Sequence, residues 1–243
     1  MQDKIYGRNP VLEAIKSDRE IDKILVKKGG IEGSLNVIIK KAREKGITVT
    51  EAEKQKLDSI AEGENHQGVI AFAATHAYSA VKDILERAKE KGHDPFVIIC
   101  DKITDPHNLG SILRTANCVG ADGIIIPKHS SAGLNSIVAK TSAGAIEYTP
   151  VAKVTNIART IEDLKKEGLW IAGTDMDGTP MTKTDLKGAI GLVIGSEGEG
   201  ISRLVKEKCD FIVSIPMRGE INSLNASVAA GIVMYEVLRQ REV

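Results

Sequence analysis

The chain has 243 residues, 33 of them basic and 33 acidic, with 42% apolar, 27% charged and only 3% aromatic side chains. That composition excludes a disordered tail and a collagen-like repeat; no stretch approaches the ~18 uncharged apolar residues of a membrane span, and the length suits one large or two smaller domains. A formal charge of zero neither demands nor excludes RNA as a partner, and Cys100, Cys118 and Cys209, odd in number and scattered, suit reduced thiols without metal-ligand spacing, so the expectation is a cytoplasmic protein with no metal and no membrane contact.

In chain order, Met1-Gln2-Asp3-Lys4 leads into a polar helix rather than a signal peptide, and Asn9-Pro10 opens that helix as N-cap and first helical residue. Ile21–Val26 reads as a strand, Gly29-Gly30 as a break, and Leu35 to Ala42 as a helix stopped by Gly46. Ile47–Thr50 is a second strand, Lys54–Ala61 a short helix and Gly68–Ala74 a third strand, making residues 1–75 a small α/β domain. Residues 76–94 are expected to be linker and connecting helix, with Thr75–Ser79 polar and Val81–Lys91 amphipathic up to Gly92. Within 95–243 the short apolar runs Phe96–Cys100, Gly123–Pro127, Leu169–Gly173, Ala189–Ile194 and Phe211–Ile215 have the β-branched character of buried parallel strands. Helical stretches near Leu109–Val119, Leu134–Ser142, Ile157–Lys166, Ile201–Glu207 and Leu224–Arg239 alternate with them. Five strands each followed by a helix predict an open, doubly wound α/β sheet, whose ligands sit beyond the carboxyl ends of the strands.

Three polar loops follow those strands. In Asp101 to Arg114, residues Asn108, Gly110 and Ser111 fall at a helix start, where free N–H groups hold anions. Arg114 lies among Ile112, Leu113 and Ala116, which calls for a carboxylate or phosphate partner; a structural Arg–Asp pair and a functional arginine both satisfy it. Ile194-Gly-Ser-Glu-Gly-Glu-Gly200 has glycines spaced wrongly for a dinucleotide loop, and Glu197 and Glu199 oppose a pyrophosphate, so it is either a plain strand-to-helix turn or a loop for a neutral or positive cofactor. No G-x-x-x-x-G-K-[ST] occurs. In Ile215 to Ser227, Ser223 and Asn225 are hydrogen-bonding residues or simple caps before a helix apolar around much of its girth.

Taken together, Asn108-x5-Arg114, Ile194-Gly-Ser-Glu-Gly198 and Ser223-Leu-Asn225-x-Ser227 resemble the three motifs of the SpoU/TrmH methyltransferases of the SPOUT superfamily, in the expected order. Tyr6-Gly-Arg-Asn-Pro-Val-Leu-Glu13 and Asn65-His-Gln-Gly-Val69 resemble the L30e-like RNA-binding domain of the RlmB-type enzymes that methylate guanosine 2′-oxygens of 23S rRNA. The resemblance implies methyl transfer from S-adenosyl-L-methionine to a ribose 2′-oxygen, a catalytic domain with a C-terminal trefoil knot, and a homodimer with its active site at the interface. Carried onto this chain, it implies that Gly195, Ile215 and Leu224, with Thr174 and Met217, bind the cofactor. Arg114 would align the 2′-hydroxyl and stabilise its developing charge, Asn108 and Glu197 would orient Arg114, and Ser223 and Asn225 would shape the substrate and cofactor loops. A guanidinium holds its proton too tightly to serve as a literal base. Arg8 and Asn9 are candidate RNA contacts, with Lys27, Lys28, Lys40 and Lys41 for phosphates; Asn9 is also a candidate cap. His107 reads as an ordinary turn residue. A tRNA-directed enzyme, an adenosine-directed rRNA resistance enzyme and a non-catalytic RNA assembly factor are the competing readings.

Overall fold

A computed structural model describes residues 3–17, 20–29, 33–74, 76–220 and 223–242. Met1, Gln2, Gly30 and Thr75, which figure in the expectations above, lie outside the described residues, as do Ile221 and Asn222 of the third loop. The chain divides into two compact units, residues 1–77 with 133–136, and residues 78–132 with 137–243.

The first unit has a four-stranded sheet in the order β1 (Asp3–Tyr6), β4 (Val69–Ala73), β2 (Ile21–Lys27), β3 (Thr48–Ala52). β4 runs antiparallel to both its neighbours, and β2 and β3 are parallel. Side chains alternate across it with the strand period of two. Ile24, Val26, Val69 and Ala71 pack with Val11, Ile15, Leu35 and Ile38 of helices α1 (Arg8–Lys16) and α2 (Ser34–Glu44). Leu25, Ile70 and Phe72 face the other way, onto Leu57 and Ala61 of α3 (Lys54–Ala61).

Two expectations change here. Residues 3–6, expected only to lead into the first helix, form a strand, because they pair with Ala73 to Ile70 of β4. Asn9 is not a cap: α1 starts at Arg8 and its cap is Gly7, at φ +89°, where a Cβ would press on the Asn65 carbonyl oxygen at 3.4 Å.

The second unit has a six-stranded, all-parallel sheet in the order β10 (Phe211–Ser214), β8 (Trp170–Pro180), β9 (Ile190–Ile194), β5 (Phe96–Cys100), β6 (Gly123–Pro127), β7 (Val151–Val154). Val97, Ile99, Ile125, Ile171 and Val193 pack beneath α4 (Val81–Lys91), α7 (Ile157–Lys166) and α8 (Arg203–Lys208). The alternate residues Ile98, Ile124 and Leu192 are equally buried on the opposite face, which α5 (Pro106–Cys118) and α9 (Ala226–Arg241) cover. Residues 76–94 thus include a helix whose Ile84 and Leu85 belong to this core. α6 (Ser136–Thr141) is a short helix after β6.

The doubly wound α/β sheet is present with six strands rather than five. β7 is four residues long, too short to show a period, and its pairing with β6 makes it. β8 has no α-helix after it, only a 3-10 turn at Met181–Lys183 before β9. The chain leaves β5 for β6 on one side and returns as β9 on the other, so β5 and β9 form the switch point of the sheet, where loops diverge and leave a crevice.

Candidate active site

A cavity of about 340 Å³ opens at the carboxyl ends of β8, β9 and β10. Its first wall comes from a break in register. Ile212 of β10 pairs with Gly173 and Val213 with Thr179, so residues 174–178 of β8 have no partner in β10, and Thr174, Asp175 and Met176 line the cavity. Thr174 is fixed from below by a 2.9 Å hydrogen bond from its Oγ1 to the Val193 carbonyl. The second wall is the loop after β9. A Cβ on Gly195 would lie 2.2 Å from the Gly200 carbonyl carbon, so the loop can double back, with paired Ser196 and Gly200 amides and carbonyls, only because that position is glycine. Ile215, Met217, Ser223 and Leu224 close the third side.

Among the described residues no Lys, Arg or His lines this cavity; its charged residues are Asp175, Glu197 and Glu199. Burial pushes the Asp175 carboxyl up, but hydrogen bonds from Lys206 at 2.7 Å and from the Met176 amide outweigh it and hold the group below its ordinary range. Lys102 likewise depresses Glu199 through a 2.8 Å hydrogen bond. With Asp175 and Glu199 each balanced by a lysine, the lining offers no spare cation to a phosphate, and Glu197 is the carboxylate left without a cationic partner, which suits a flat neutral ring beside a positive centre.

The β9 loop is clipped on two sides. Asp101 Oδ2 accepts from the Ser202 amide at 2.7 Å, and Lys102 holds Glu199. Glu197 Oε1 accepts from Asn108 Nδ2 at 2.9 Å, from Asn225 Nδ2, and from the Ala226 amide at 3.4 Å, while Asn225 Nδ2 also reaches Asn108 Oδ1 at 2.9 Å. The remaining Asn225 oxygen caps α9, accepting from the Ser227 and Val228 amides. One triangle of side chains therefore ties the starts of α5 and α9 to the cavity loop.

Arg114 is not part of it. It stands on the exposed face of α5, with no hydrogen-bond or ion-pair partner among the described residues. The buried face of that helix is Asn108, Leu109, Ile112, Leu113 and Ala116, so within one chain Arg114 needs no structural carboxylate and makes no hydrogen bond with Asn108 or Glu197. Nor does the start of α5 offer an anion site at Gly110 and Ser111. Asp105 caps the helix by accepting from the His107 amide at 2.9 Å, and Gly110 is a packing glycine, since a Cβ there would meet Thr141 Cβ at 2.6 Å.

All five expected cofactor residues, Gly195, Ile215, Leu224, Thr174 and Met217, line the cavity, as do Glu197 and Ser223. Asp175, Met176 and the Lys102–Glu199 clip were missed; an acidic residue just past a strand was the available signal. Among the described residues no group of three or more His, Cys, Asp or Glu could hold a metal ion, and no helix is long and apolar enough to cross a membrane. In the first unit Arg8 and Lys27 share one cavity, Asn9 is exposed on α1, Lys28 pairs with Glu53 at 3.2 Å, and Lys40 and Lys41 lie in the later half of α2.

The SpoU rRNA methylase family model matches residues 95–235, more than half of the chain. The chain belongs to the SpoU/TrmH family of RNA methyltransferases. A model for RNA 2′-O ribose methyltransferase substrate binding matches residues 4–79. Among relatives of this SpoU/TrmH chain, a Bacillus subtilis protein called a TrmH family tRNA/rRNA methyltransferase is 48% identical, over 98% of this chain and 96% of its own. The fold is shared with the SpoU methyltransferase AviRb of Streptomyces viridochromogenes, solved with AdoMet, at 24% identity and TM-score 0.61 over 98% of this chain and 89% of that one. It is shared also with an AdoMet-bound rRNA methyltransferase of Sinorhizobium meliloti, at 23% identity and TM-score 0.61 over 97% and 86%. A TrmH/SpoU tRNA modifying enzyme of A. aeolicus is 28% identical with TM-score 0.56, over 65% of this chain and 84% of that one.

Proposed function

We propose that this RNA methyltransferase transfers methyl from S-adenosyl-L-methionine to the ribose 2′-oxygen of a guanosine in 23S rRNA, acting in the cytoplasm as a homodimer. The observation that carries the reading is the cavity beyond β8, β9 and β10, built from backbone loops and acidic side chains without a single cation among the described residues. A cofactor with an adenine, no phosphate and a sulfonium fits that chemistry. The Gly195 bend brings the loop close, Ile215 and Leu224 offer backbone and apolar surface, and Glu197, whose hydrogen-bond partners are all neutral, favours positive charge. When bound, the cofactor supplies a methyl group on a positive sulfur, open to in-line displacement.

The chain's own part is positioning. Asn108, Glu197 and Asn225 hold the cavity loop against two helices, and Ser223, which lines the cavity, is the residue assigned to the incoming ribose in this reading. Arg114 aligns the 2′-hydroxyl and stabilises the charge that develops on its oxygen, with the RNA phosphate beside it. Its exposed, unpartnered guanidinium supports the dimer. Val228 and Tyr235 are exposed on α9, with Ile232 half-buried between them, and Gly231 borders Thr115 of α5, the helix that carries Arg114. A second copy on those residues buries them and brings Arg114 to a partner's cavity. The C-terminal knot belongs to the same reading. Support for it comes from the loops after β9 and β10, which both fold onto one cavity, while α9 runs back against α5 and β9.

An rRNA substrate is favoured because the rRNA enzyme of Sinorhizobium meliloti matches across 97% of the chain, the A. aeolicus tRNA enzyme across 65%. The test is transfer of labelled methyl to unmodified 23S rRNA, with 16S rRNA and tRNA alongside, followed by mapping. Label on one 23S guanosine is the expected result. Label on tRNA or on an adenosine keeps the chemistry and overturns the substrate; no label on any RNA overturns the reading.

A further inference from the structure

The first unit holds a second cavity, of about 670 Å³, within the roughly 300–1,000 Å³ of ligand sites. Its lining is polar apart from Leu35 and the backbone of Gly68. Three of the lining side chains are cations with charge to spare. Lys27 and Lys54 make no ion pair or side-chain hydrogen bond with any described residue, whereas the adjacent Lys28 is neutralised by Glu53. Arg8 is held in place, with Nε donating to the Gln67 carbonyl at 3.1 Å and Nη1 to Ser34 Oγ at 3.3 Å, which leaves Nη2 and the guanidinium plane open.

The wall opposite is preset. His66, only 8% exposed, accepts from the Gly68 amide at its Nδ1 (3.0 Å), so its proton is on Nε2 and is donated to Asp58 at 2.8 Å. That internal pair accounts for one of the two acidic residues of the lining and pins the turn in which Gln67 (φ +48°) and Gly68 (φ +82°) are left-handed. The Asn65 amide and the Glu64 carboxylate, by contrast, are exposed and unpartnered among the described residues. Helices α1, α2 and α3 all begin at this rim, none capped by its own N-cap side chain, although the Arg8 amide at the start of α1 is taken by Gln67 Oε1 at 3.1 Å.

Cations for a phosphate, a guanidinium plane and an apolar side chain for a base, and an amide and a carboxylate for the edge of that base are the parts a nucleotide needs. A base-paired A-form helix keeps its base edges stacked inside and presents a convex phosphate surface; only a splayed nucleotide enters a concavity. We propose that this cavity takes one unpaired nucleotide of the RNA substrate, with its phosphate on Lys27, Lys54 and Arg8 and its base edge on Glu64 and Asn65. The proposal rests on the RNA methyltransferase reading, which supplies RNA as the partner, and it narrows the expected contacts, adding Lys54, Glu64 and Asn65 and leaving Lys28 aside.

The experiment uses the full chain and a fluorescein-labelled RNA stem–loop, compared with the same stem closed into a continuous duplex, by fluorescence anisotropy over a salt series. Wild type is expected to prefer the stem–loop about tenfold. Lys27→Ala with Lys54→Ala should weaken stem–loop binding about tenfold and lower the salt slope by about 1–2, while the charge-matched pair Lys16→Ala with Lys56→Ala stays within about twofold. Equal binding of stem–loop and duplex, equal weakening by the two pairs, or no binding of either probe overturns the cavity. Methyl transfer to rRNA, measured separately, distinguishes the failures: a wild type that methylates RNA while the Lys27/Lys54 variant binds normally leaves the activity standing without this site.

Discussion

Arg114 and Asn108 sit six residues apart on one helix and meet opposite fates. Asn108 is buried and spends both ends of its amide on Glu197 and Asn225, so its work is to hold a loop. Arg114 makes no such bond among the described residues, which suits the role proposed for it toward another molecule. Arg114→Ala is therefore predicted to lower methyl transfer about 10²–10³-fold while the cofactor Kd stays within about twofold, because the side chain does not line the cavity. Labelled methyl transfer and calorimetry read the two effects separately, and a variant as active as wild type defeats the assignment. The sequence singled out both residues; it could not show which side chain pairs with which. The partners of Asn108 lie 89 and 117 residues away, separations that no local pattern reports.

At the scale of elements, α3, α4 and α7 were legible to the residue, because an apolar period and a glycine or charged end agree, with Asn156 as a cap for α7. α9 is different: it is apolar nearly all round, so its sequence announces burial without saying against what. The structure answers with packing on α5 and a polar latch at its far end. Gln240 takes the Leu186 amide at 2.8 Å and donates to the Thr184 carbonyl at 3.0 Å, while buried Glu236 receives Gln240 at 2.8 Å and a two-pronged contact from Arg239 at 2.9 and 2.7 Å. Arg239 holds the Glu236 carboxyl at about 2, against an ordinary 4.5. A depressed folded-state value stabilises the fold above the unfolded value and loses that contribution as pH falls from about 4.5 through 2. The expected loss is on the order of 1–2 kcal/mol, reduced from the ideal figure because Arg239 is largely exposed. Thermal midpoints measured from pH 6 to pH 3 should fall more steeply for wild type than for Glu236→Gln; parallel profiles would show that the latch does not titrate with folding.

For the whole molecule, the two units answer to the two matched models, one for substrate binding over residues 4–79 and one for methyl transfer over 95–235. Each has its own core, so a chain lacking residues 1–75 is predicted to fold, to dimerise and to bind cofactor as the full chain does, and to lose RNA affinity by about tenfold or more. Light scattering and anisotropy test both halves of that statement, and a monomeric product contradicts it. By itself the sequence determined the class of fold, the alternation of buried strands with helices, the family and the loops that carry its chemistry, because these depend on local periodicity and on residue types at short spacing. Only the tertiary structure decided the six-strand order, the slipped register that opens β8 into a cavity wall, the triangle of Asn108, Glu197 and Asn225, and the solitude of Arg114. Each of those is a pairing between segments far apart in the chain, and the energy that selects one pairing over another resides in packing and hydrogen bonds that exist only once the segments have met.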